Sequence, residues 1–475
     1  MHMGVLSSDN RGSVKTLTLV APVQTIGDDP YDNKARSFPA VGVYRLAAAV
    51  ADSNIQMTVF DNPTPITGIE FLNLAHNIAR TCKKSNILGL STTYTTIDNA
   101  IHIAHLARQK GFKGKIVIGG MGAYAPIFIN EIDKALPDDT YIVIGFGELA
   151  LKLLLNQDEV KDRIIISTLN QHNFNVFSVL AYRFVVEAVH MHWKYNEERL
   201  GDSSRFFRII TESHCPRGCR YCSSTHIPSK PLYMSADAIK SAVDIALDTN
   251  PTGIMFQGDN FLLGRKGKQR LQELIDTNFQ SPVDLMLQTH PKDVLDVDPD
   301  HLIKIGTTTV SLGIESFSDE ILSHFGKKID ADTCHSAIST LLDNNIGVFA
   351  NIILTSPEAT PDQVKHSLEC IKQYMKRGVK FGINLAPKLY PPSILFIEAV
   401  VNKKYDEQQI TYTNIRIKVG DVDISIRKPD MLLPQHDGLR KAVLRVRNML
   451  TRSQTSENLS VQIVRLMERE LEAIL

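Results

Sequence analysis

From Lys15 onward the chain alternates short runs of β-branched and aliphatic residues with longer stretches whose apolar positions recur at helical spacing. "KTLTLVAPV" reads as a strand, "VGVYRLAAAVAD" as a helix, "IQMTVFDN" as a strand and "GIEFLNLAHNIART" as a helix. The rhythm continues through "NILGLST", "TIDNAIHIAHLARQKG", "KIVIGG", "APIFINEIDKAL", "YIVIG" and "GELALKLLLNQ". Strands that alternate with helices in this way predict a parallel sheet covered by helices on both faces. Ligands of such sheets bind beyond the carboxyl ends of the strands. Those ends are rich in small residues here: Ser91, Thr92 and Thr93; Gly119, Gly120 and Gly122; Gly145 and Gly147. Small residues let a large ligand approach the backbone, although tight strand-to-helix corners favour glycine for their own reasons.

Residues 158–204 break the rhythm and hold the only tryptophan, Trp193, which predicts a connector packed between domains. A second alternation then begins at "RFFRIITES" and passes through "GIMFQGD", "VDLMLQTH", "TTVSLGIES" and "GVFANIIL" to "FGINLAPKLY", with helical segments between. Six strands, most followed by a helix, predict a second parallel unit curled toward a barrel, with its chemistry at the carboxyl ends of the strands. After residue 395 come short alternating strands, "ITYTNIRI" and "VDISIRKP", and an amphipathic helix near "LSVQIVRLMERELEAIL". The expected fold is therefore α/β. A Rossmann-like doubly wound parallel sheet spans 1–157 and a connector 158–204. A partial (β/α)6 TIM-type barrel spans 205–395, and a small α+β segment 396–475.

Composition changes this picture little. The 52 basic and 52 acidic residues balance, which gives no electrostatic reason to propose a nucleic-acid or membrane partner. The opening "MHMGVLSSDNRGSVK" lacks the apolar core of a signal peptide, and no uninterrupted apolar run is long enough to span a bilayer, so a cytoplasmic protein is expected. Six cysteines in so long a chain do not suggest a disulfide framework. Cys82, Cys334 and Cys370 fall within periodic segments and are expected to be small buried hydrophobes.

Cys215, Cys219 and Cys222 are different, because "HCPRGCRYC" places all three in one loop after the first barrel strand. Structural zinc needs four ligands and would have to recruit His214, His226 or a remote side chain. A [4Fe-4S] cluster held by three thiolates leaves one iron open to a substrate or cofactor. The spacing resembles the cluster loop of the radical S-adenosylmethionine (radical SAM) superfamily, and "QGDNF", "GIES", "NIIL" with "SPEAT", and "LAPKLYPPS" extend the resemblance over roughly residues 205–395. The resemblance implies a [4Fe-4S] cluster on the three cysteines, with the methionyl group of SAM on the open iron. One electron then yields a 5′-deoxyadenosyl radical that abstracts hydrogen from an unactivated carbon. It implies that the backbone of Tyr221 faces the adenine, that Gly258, Asp259 and Asn260 serve the methionyl amino group, and that Glu315 and Ser316 contact SAM. Gln257-Gly258-Asp259 here replaces the more usual acidic or glycine pair. His290, Asn351, Asn384 and Tyr390, read as strand-end residues, are expected to face substrate or cofactor. Of these, His290, Asn351 and Tyr390 are the catalytic candidates. Each has a plain alternative as a satisfied polar residue in a barrel mouth.

The α/β domain ahead of the barrel resembles the cobalamin-binding domain of one radical SAM subgroup, the class B methyltransferases. The resemblance rests on "VGVYRLAAAV", Asp61 closing the second strand, "LGLSTTYT", "IGGMGA" and "IGFGE". It places Ser91, Thr93, Gly119, Gly120 and Glu148 against a corrin. "APVQTIGDDPYDNK" contains no histidine, which excludes the ligand mode of the cobalamin mutases, and Gly122 stands where many relatives carry one. Three readings follow. The first is a cobalamin-dependent radical SAM methyltransferase acting on a small molecule, with a flavodoxin or ferredoxin as electron donor. The second is a radical SAM rearrangement, ring contraction or cyclisation in which cobalamin is structural or absent. The third is a non-catalytic iron–sulfur or zinc protein, which would leave "QGDNF" and "GIES" without purpose.

Overall fold

The computed structural model describes residues 14–27, 33, 35–51, 54–157, 160–226, 230–452 and 458–474. Six parallel strands form the first sheet: β1 (Lys15–Ala21), β2 (Ile55–Asp61), β3 (Ile87–Ser91), β4 (Lys115–Gly119), β5 (Thr140–Gly145) and β6 (Ile164–Ser167). Aliphatic side chains on both faces of the central strands, such as Leu17, Leu19, Ile87, Leu88, Ile116 and Ile118, are fully buried beneath helices, as a two-sided parallel sheet requires. The spatial order β2-β1-β3-β4-β5-β6 reverses direction between β1 and β3, which opens a crevice at their carboxyl ends.

The irregular connector expected over 158–204 is not what forms. Its first part supplies β6, and its second is a 30-residue helix, Gln171–Leu200, about 45 Å long. Asn170 caps its N-terminus by accepting from the Asn173 N–H, and Gly201 ends it in the left-handed region at φ +64. The amphipathic signal fails here because the helix packs on two partners, Val41–Val50 of the first domain and Ala236–Leu247 of the barrel. By length and composition alone it could cross a membrane, but it contains Arg183 and Glu187 and is clamped between the two domains. Trp193, on this helix, donates its indole N–H to the Phe206 carbonyl, 3.0 Å, at the first barrel strand.

The barrel strands are β7 (Phe206–Ile209), β10 (Gly253–Phe256), β11 (Asp284–Thr289), β12 (Thr307–Glu315), β13 (Gly347–Ile353) and β14 (Lys380–Asn384), with a short antiparallel pair, β8 (Glu212–Ser213) and β9 (Leu232–Tyr233), bracketing the cysteine loop. The six are parallel neighbours in chain order and leave β7 and β14 as open edges, giving the expected partial (β/α)6 barrel. Helix Leu459–Glu472 covers the β14 edge, with Ser460 donating to the Phe381 carbonyl at 2.6 Å. The rest of the C-terminal segment is a hairpin, β15 (Ile410–Val419) and β16 (Val422–Leu432), and helix Asp437–Arg452. The hairpin docks on the first domain as well as the barrel: Tyr94 donates to the Pro429 carbonyl at 2.8 Å, and the Leu389 N–H donates to the Asp430 carbonyl at 2.7 Å.

Candidate active site

The cysteine loop leaves the β8/β9 pair at His214, whose φ is +39. Cys215 and Cys219 are buried and Cys222 is half-buried. Burial pushes the bare Cys215 thiol up to about 11 and that of Cys222 to about 12, and in both the nearby Asp259 charge adds to the effect. Asp259 accepts from the backbone of His214 and from the Ser224 hydroxyl, so one carboxylate ties the two ends of the loop; burial lifts its own pKa to about 6. Arg220 fixes the middle of the loop, donating to the His324 carbonyl at 2.7 Å and pairing with Glu398 at 2.5 Å. Among the described residues no three His, Cys, Asp or Glu side chains converge on a single metal ion, and the His226 side chain lies outside them. A cubane makes a different demand, because each thiolate binds its own iron.

Beneath the "QGDNF" loop lies a buried ion pair. Glu212 and Arg270 are 3.1 Å apart, and Arg270 also donates to the carbonyls of Thr211 at 3.0 Å and Phe261 at 2.6 Å. The second Glu212 oxygen accepts the Asn260 N–H at 3.1 Å. Gly258 lies against this carboxylate so closely that a Cβ there would stand 2.1 Å from it, which explains the glycine. The Asn260 side chain helps to hold the loop: its amide donates to Asp293 at 2.7 Å, and its oxygen accepts from Thr289 at 2.7 Å and from the His290 N–H at 3.3 Å.

At the end of β12, Glu315 adopts φ +68 and accepts from the buried ammonium of Lys327 at 3.1 Å; the same ammonium donates to the Tyr221 hydroxyl at 3.3 Å. Ser316 is buried and accepts the Ser318 N–H at 3.1 Å, which holds a turn. His290 caps the short helix Pro291–Leu295, with Nδ1 accepting the Lys292 N–H at 3.3 Å. Burial, then the charges of Lys327 and Arg217, push its pKa down to about 2, so it stays neutral. Asn351 lies within β13 rather than beyond its end, and its amide donates to Ser311 and to the Leu312 carbonyl at 3.1 and 3.2 Å, a strand-to-strand bond. Asn384 closes β14 and its carbonyl accepts the Leu354 N–H. Tyr390 follows in the next loop, its ring edge-on to Tyr94 at 5.8 Å.

In the first domain, Thr92 donates through Oγ1 to the Gly119 carbonyl at 2.9 Å, while Thr93 and Gly120 are exposed at the strand ends. Gly120 has φ +81, and a Cβ there would meet the Thr92 carbonyl at 2.4 Å. Ser91 lies against Gly42. Glu148 does not reach these loops: it is buried and paired with Arg45 at 2.6 Å, and the Arg45 guanidinium stacks on Phe174 at 4.7 Å. A corrin contact for Glu148 thus gives way to a packing role, because a carboxylate so deeply buried needs a cation. The carboxyl ends of the two sheets face one another across a cavity of about 270 Å³, bounded by Thr93 and Met121 on one side and Ser223, next to Cys222, and Tyr390 on the other.

Of the expected residues, the cysteines and Asp259 form one cluster, and Thr93 and Tyr390 meet across the interdomain cavity. Lys327, Glu212 and Arg270 were not anticipated. "TESHC" contains Glu212, "KQRLQ" Arg270 and "FGKKID" Lys327, but charged residues in such stretches carry no sign of burial until the barrel closes.

Residues 209–371 match the model of the radical SAM superfamily, so this chain carries a radical SAM domain, the kind of enzyme that works with a [4Fe-4S] cluster and SAM. No curated protein matches the sequence. Among solved structures it is similar to the radical SAM methyltransferase TsrM from Kitasatospora setae with tryptophan substrate and a SAM analogue bound, at 13% identity and a TM-score of 0.62, covering 93% of this chain and 89% of that one. It is also similar to the cobalamin-dependent SAM radical enzyme OxsB with aqua-cobalamin and SAM bound, at 13% identity and a TM-score of 0.58, covering 91% of this chain and 66% of OxsB. At these identities the likeness establishes the shared two-domain fold.

Proposed function

We propose that the protein is a cobalamin-dependent radical SAM methyltransferase acting on an unactivated carbon of a small molecule. The observation that carries the reading is the interdomain cavity, where the small-residue loops of the first sheet face the cysteine loop of the barrel. The donor set fits the implied groups. Three soft ligands lie on one loop braced at both ends by Asp259, and the first domain offers the Thr93 hydroxyl and the exposed Gly120 backbone toward a corrin. When bound, the cluster supplies the electron that breaks the sulfur–C5′ bond of SAM, and cobalamin supplies a transferable methyl group.

Cys215, Cys219 and Cys222 would hold three irons. Asp259, beside them, would take the methionyl ammonium, and Lys327, steadied by Glu315 and Tyr221, would supply a cation for the methionyl carboxylate. Neutral His290, whose Nδ1 accepts the Lys292 N–H and so leaves its hydrogen on Nε2, can orient a substrate as a donor but is not an imidazolium acid at neutral pH. Tyr94 packs edge to face with Tyr390 and with Phe396, which would give the space where a radical forms an apolar wall. A flavodoxin or ferredoxin would deliver the electron.

A second reading, a rearrangement or cyclisation in which the first domain is only structural, draws on Glu148 and Gly122. The former is committed to Arg45, and at the latter a Cβ would meet Thr92 Oγ1 at 2.4 Å. Anaerobic reconstitution with iron, sulfide, SAM, reductant and cobalamin separates them. Retained corrin absorbance with both 5′-deoxyadenosine and S-adenosylhomocysteine supports the methyltransferase. 5′-Deoxyadenosine without retained corrin supports the second reading, and absence of 5′-deoxyadenosine sinks both.

A further inference from the structure

Side chains along the barrel strands alternate between two environments. Phe207 and Ile209 on β7, Ile254 and Phe256 on β10, and Leu285 and Leu287 on β11 are fully buried, and Phe207 packs on Tyr182 of helix Gln171–Leu200, so this set faces the surrounding helices. The intervening Arg208, Met255, Met286 and Gln288 therefore face the barrel interior, and each is only half-buried. Arg208 lies level with Met255, which in turn lies level with Met286. A partial barrel whose inward positions keep accessible surface has room beneath its mouth for part of a ligand.

Other cations around the barrel have carboxylate partners. Arg217 meets Asp293, Arg220 meets Glu398, Arg270 meets Glu212 and Lys327 meets Glu315, while Lys388 and Arg447 share Asp430 at 3.0 and 2.6 Å. Among the described residues Arg208 makes no ion pair and its side chain no hydrogen bond; its Nε is shut off from solvent, and the guanidinium carbon stands 5.7 Å from the centre of the Phe38 ring. Burial lowers the Arg208 pKa, yet a guanidinium keeps its charge at neutral pH. A cation so placed destabilises the empty fold and favours an anion that reaches it. The Gln288 amide, two positions up β11 from Met286, likewise makes no hydrogen bond among the described residues.

We propose that Arg208 receives a carboxylate of the substrate inside the barrel, with the apolar body lying along Met255 and Met286 and a polar group of it held by Gln288. A guanidinium offers one charge and two parallel donors, which a carboxylate matches, whereas a phosphate dianion would bury a surplus negative charge. Gln257, where β10 gives way to the Asp259 loop, stands two residues, about 7 Å, above Met255. An acid anchored at Arg208 thus extends up toward the cysteine loop, so the substrate class is a carboxylic acid with an apolar body several bonds long. That this acid is the substrate of the radical rests on the radical SAM reading; the carboxylate subsite rests on Arg208 itself.

The test uses the reconstituted full chain, titrated calorimetrically with 4-phenylbutyrate and with its neutral analogue 4-phenyl-1-butanol. The acid should bind about tenfold or more tighter than the alcohol, and Arg208→Gln should weaken acid binding about tenfold while leaving the alcohol unchanged. Equal binding of acid and alcohol, or unchanged acid binding in Arg208→Gln, overturns the proposal. Arg208→Gln should also keep or raise the denaturant midpoint of the ligand-free chain, because no partner is lost. A lowered midpoint would mean that the charge is already satisfied within the fold, which overturns the proposal as well. 5′-Deoxyadenosine is assayed in the same preparations with SAM and reductant. Its absence removes the radical reading and with it the identification of the acid as a radical substrate, while the acid affinity is read independently.

Discussion

Glu212 and Arg270 meet at 3.1 Å directly beneath the loop that carries Gly258, Asp259 and Asn260, and neither side chain exposes more than 4% of its surface. The pair therefore sets the height of the loop that places Asp259 beside the cysteines. Glu212→Gln keeps the shape but leaves a buried guanidinium without its counter-charge, which should cost about 3–5 kcal/mol in a denaturant melt. SAM affinity, measured by equilibrium dialysis, should fall roughly tenfold while iron content is retained. Undiminished SAM binding would show that the pair serves stability alone.

Cys219→Ala should abolish both the intact cluster and 5′-deoxyadenosine formation, read by iron content and chromatography. Cys334→Ala is the matched control. Cys334 is equally buried, and burial pushes its thiol up to about 12, but it lies on helix Ala331–Asp343, so the cluster should survive at a cost of about 1 kcal/mol. If both variants keep the cluster, the ligand assignment fails.

Glu148→Ala should destabilise the first domain by about 3–5 kcal/mol, since Arg45 would remain buried without a partner. Corrin retained per folded molecule should not change. A selective loss of corrin would return Glu148 to the cofactor.

Asp430 gives a pH-dependent expectation. Its folded pKa lies below that of an unfolded carboxylate, so its contribution is fully present above the unfolded value of about 3.9 and is lost as pH falls through the lower folded value. Asp430→Asn should therefore be less stable than the parent at pH 7, and the gap should close in acid melts below about pH 4. A gap that is independent of pH would mean that the pair with Lys388 and Arg447 is not its source.

Local order made much of this protein legible in its sequence. Three cysteines in eight positions need only a loop to bring them together, and the period of apolar residues is a property of neighbours along the chain, so the two parallel sheets and the cysteine loop could be read directly. Helix Gln171–Leu200 was not readable because a helix buried on several sides has no single apolar stripe.

The roles of individual polar residues were decided only by the tertiary structure. Glu148, Asn260, Ser316 and Asn351 all occur in suggestive motifs, yet each meets a partner that folding brings to it. Lys327 and Arg270 gained significance the same way, by burial. The hairpin that joins the domains depends on Tyr94 meeting Pro429 across 335 positions of chain. Periodicity and spacing report what neighbours will do, whereas the cost of burying an unsatisfied polar group is set by whatever the fold places opposite it.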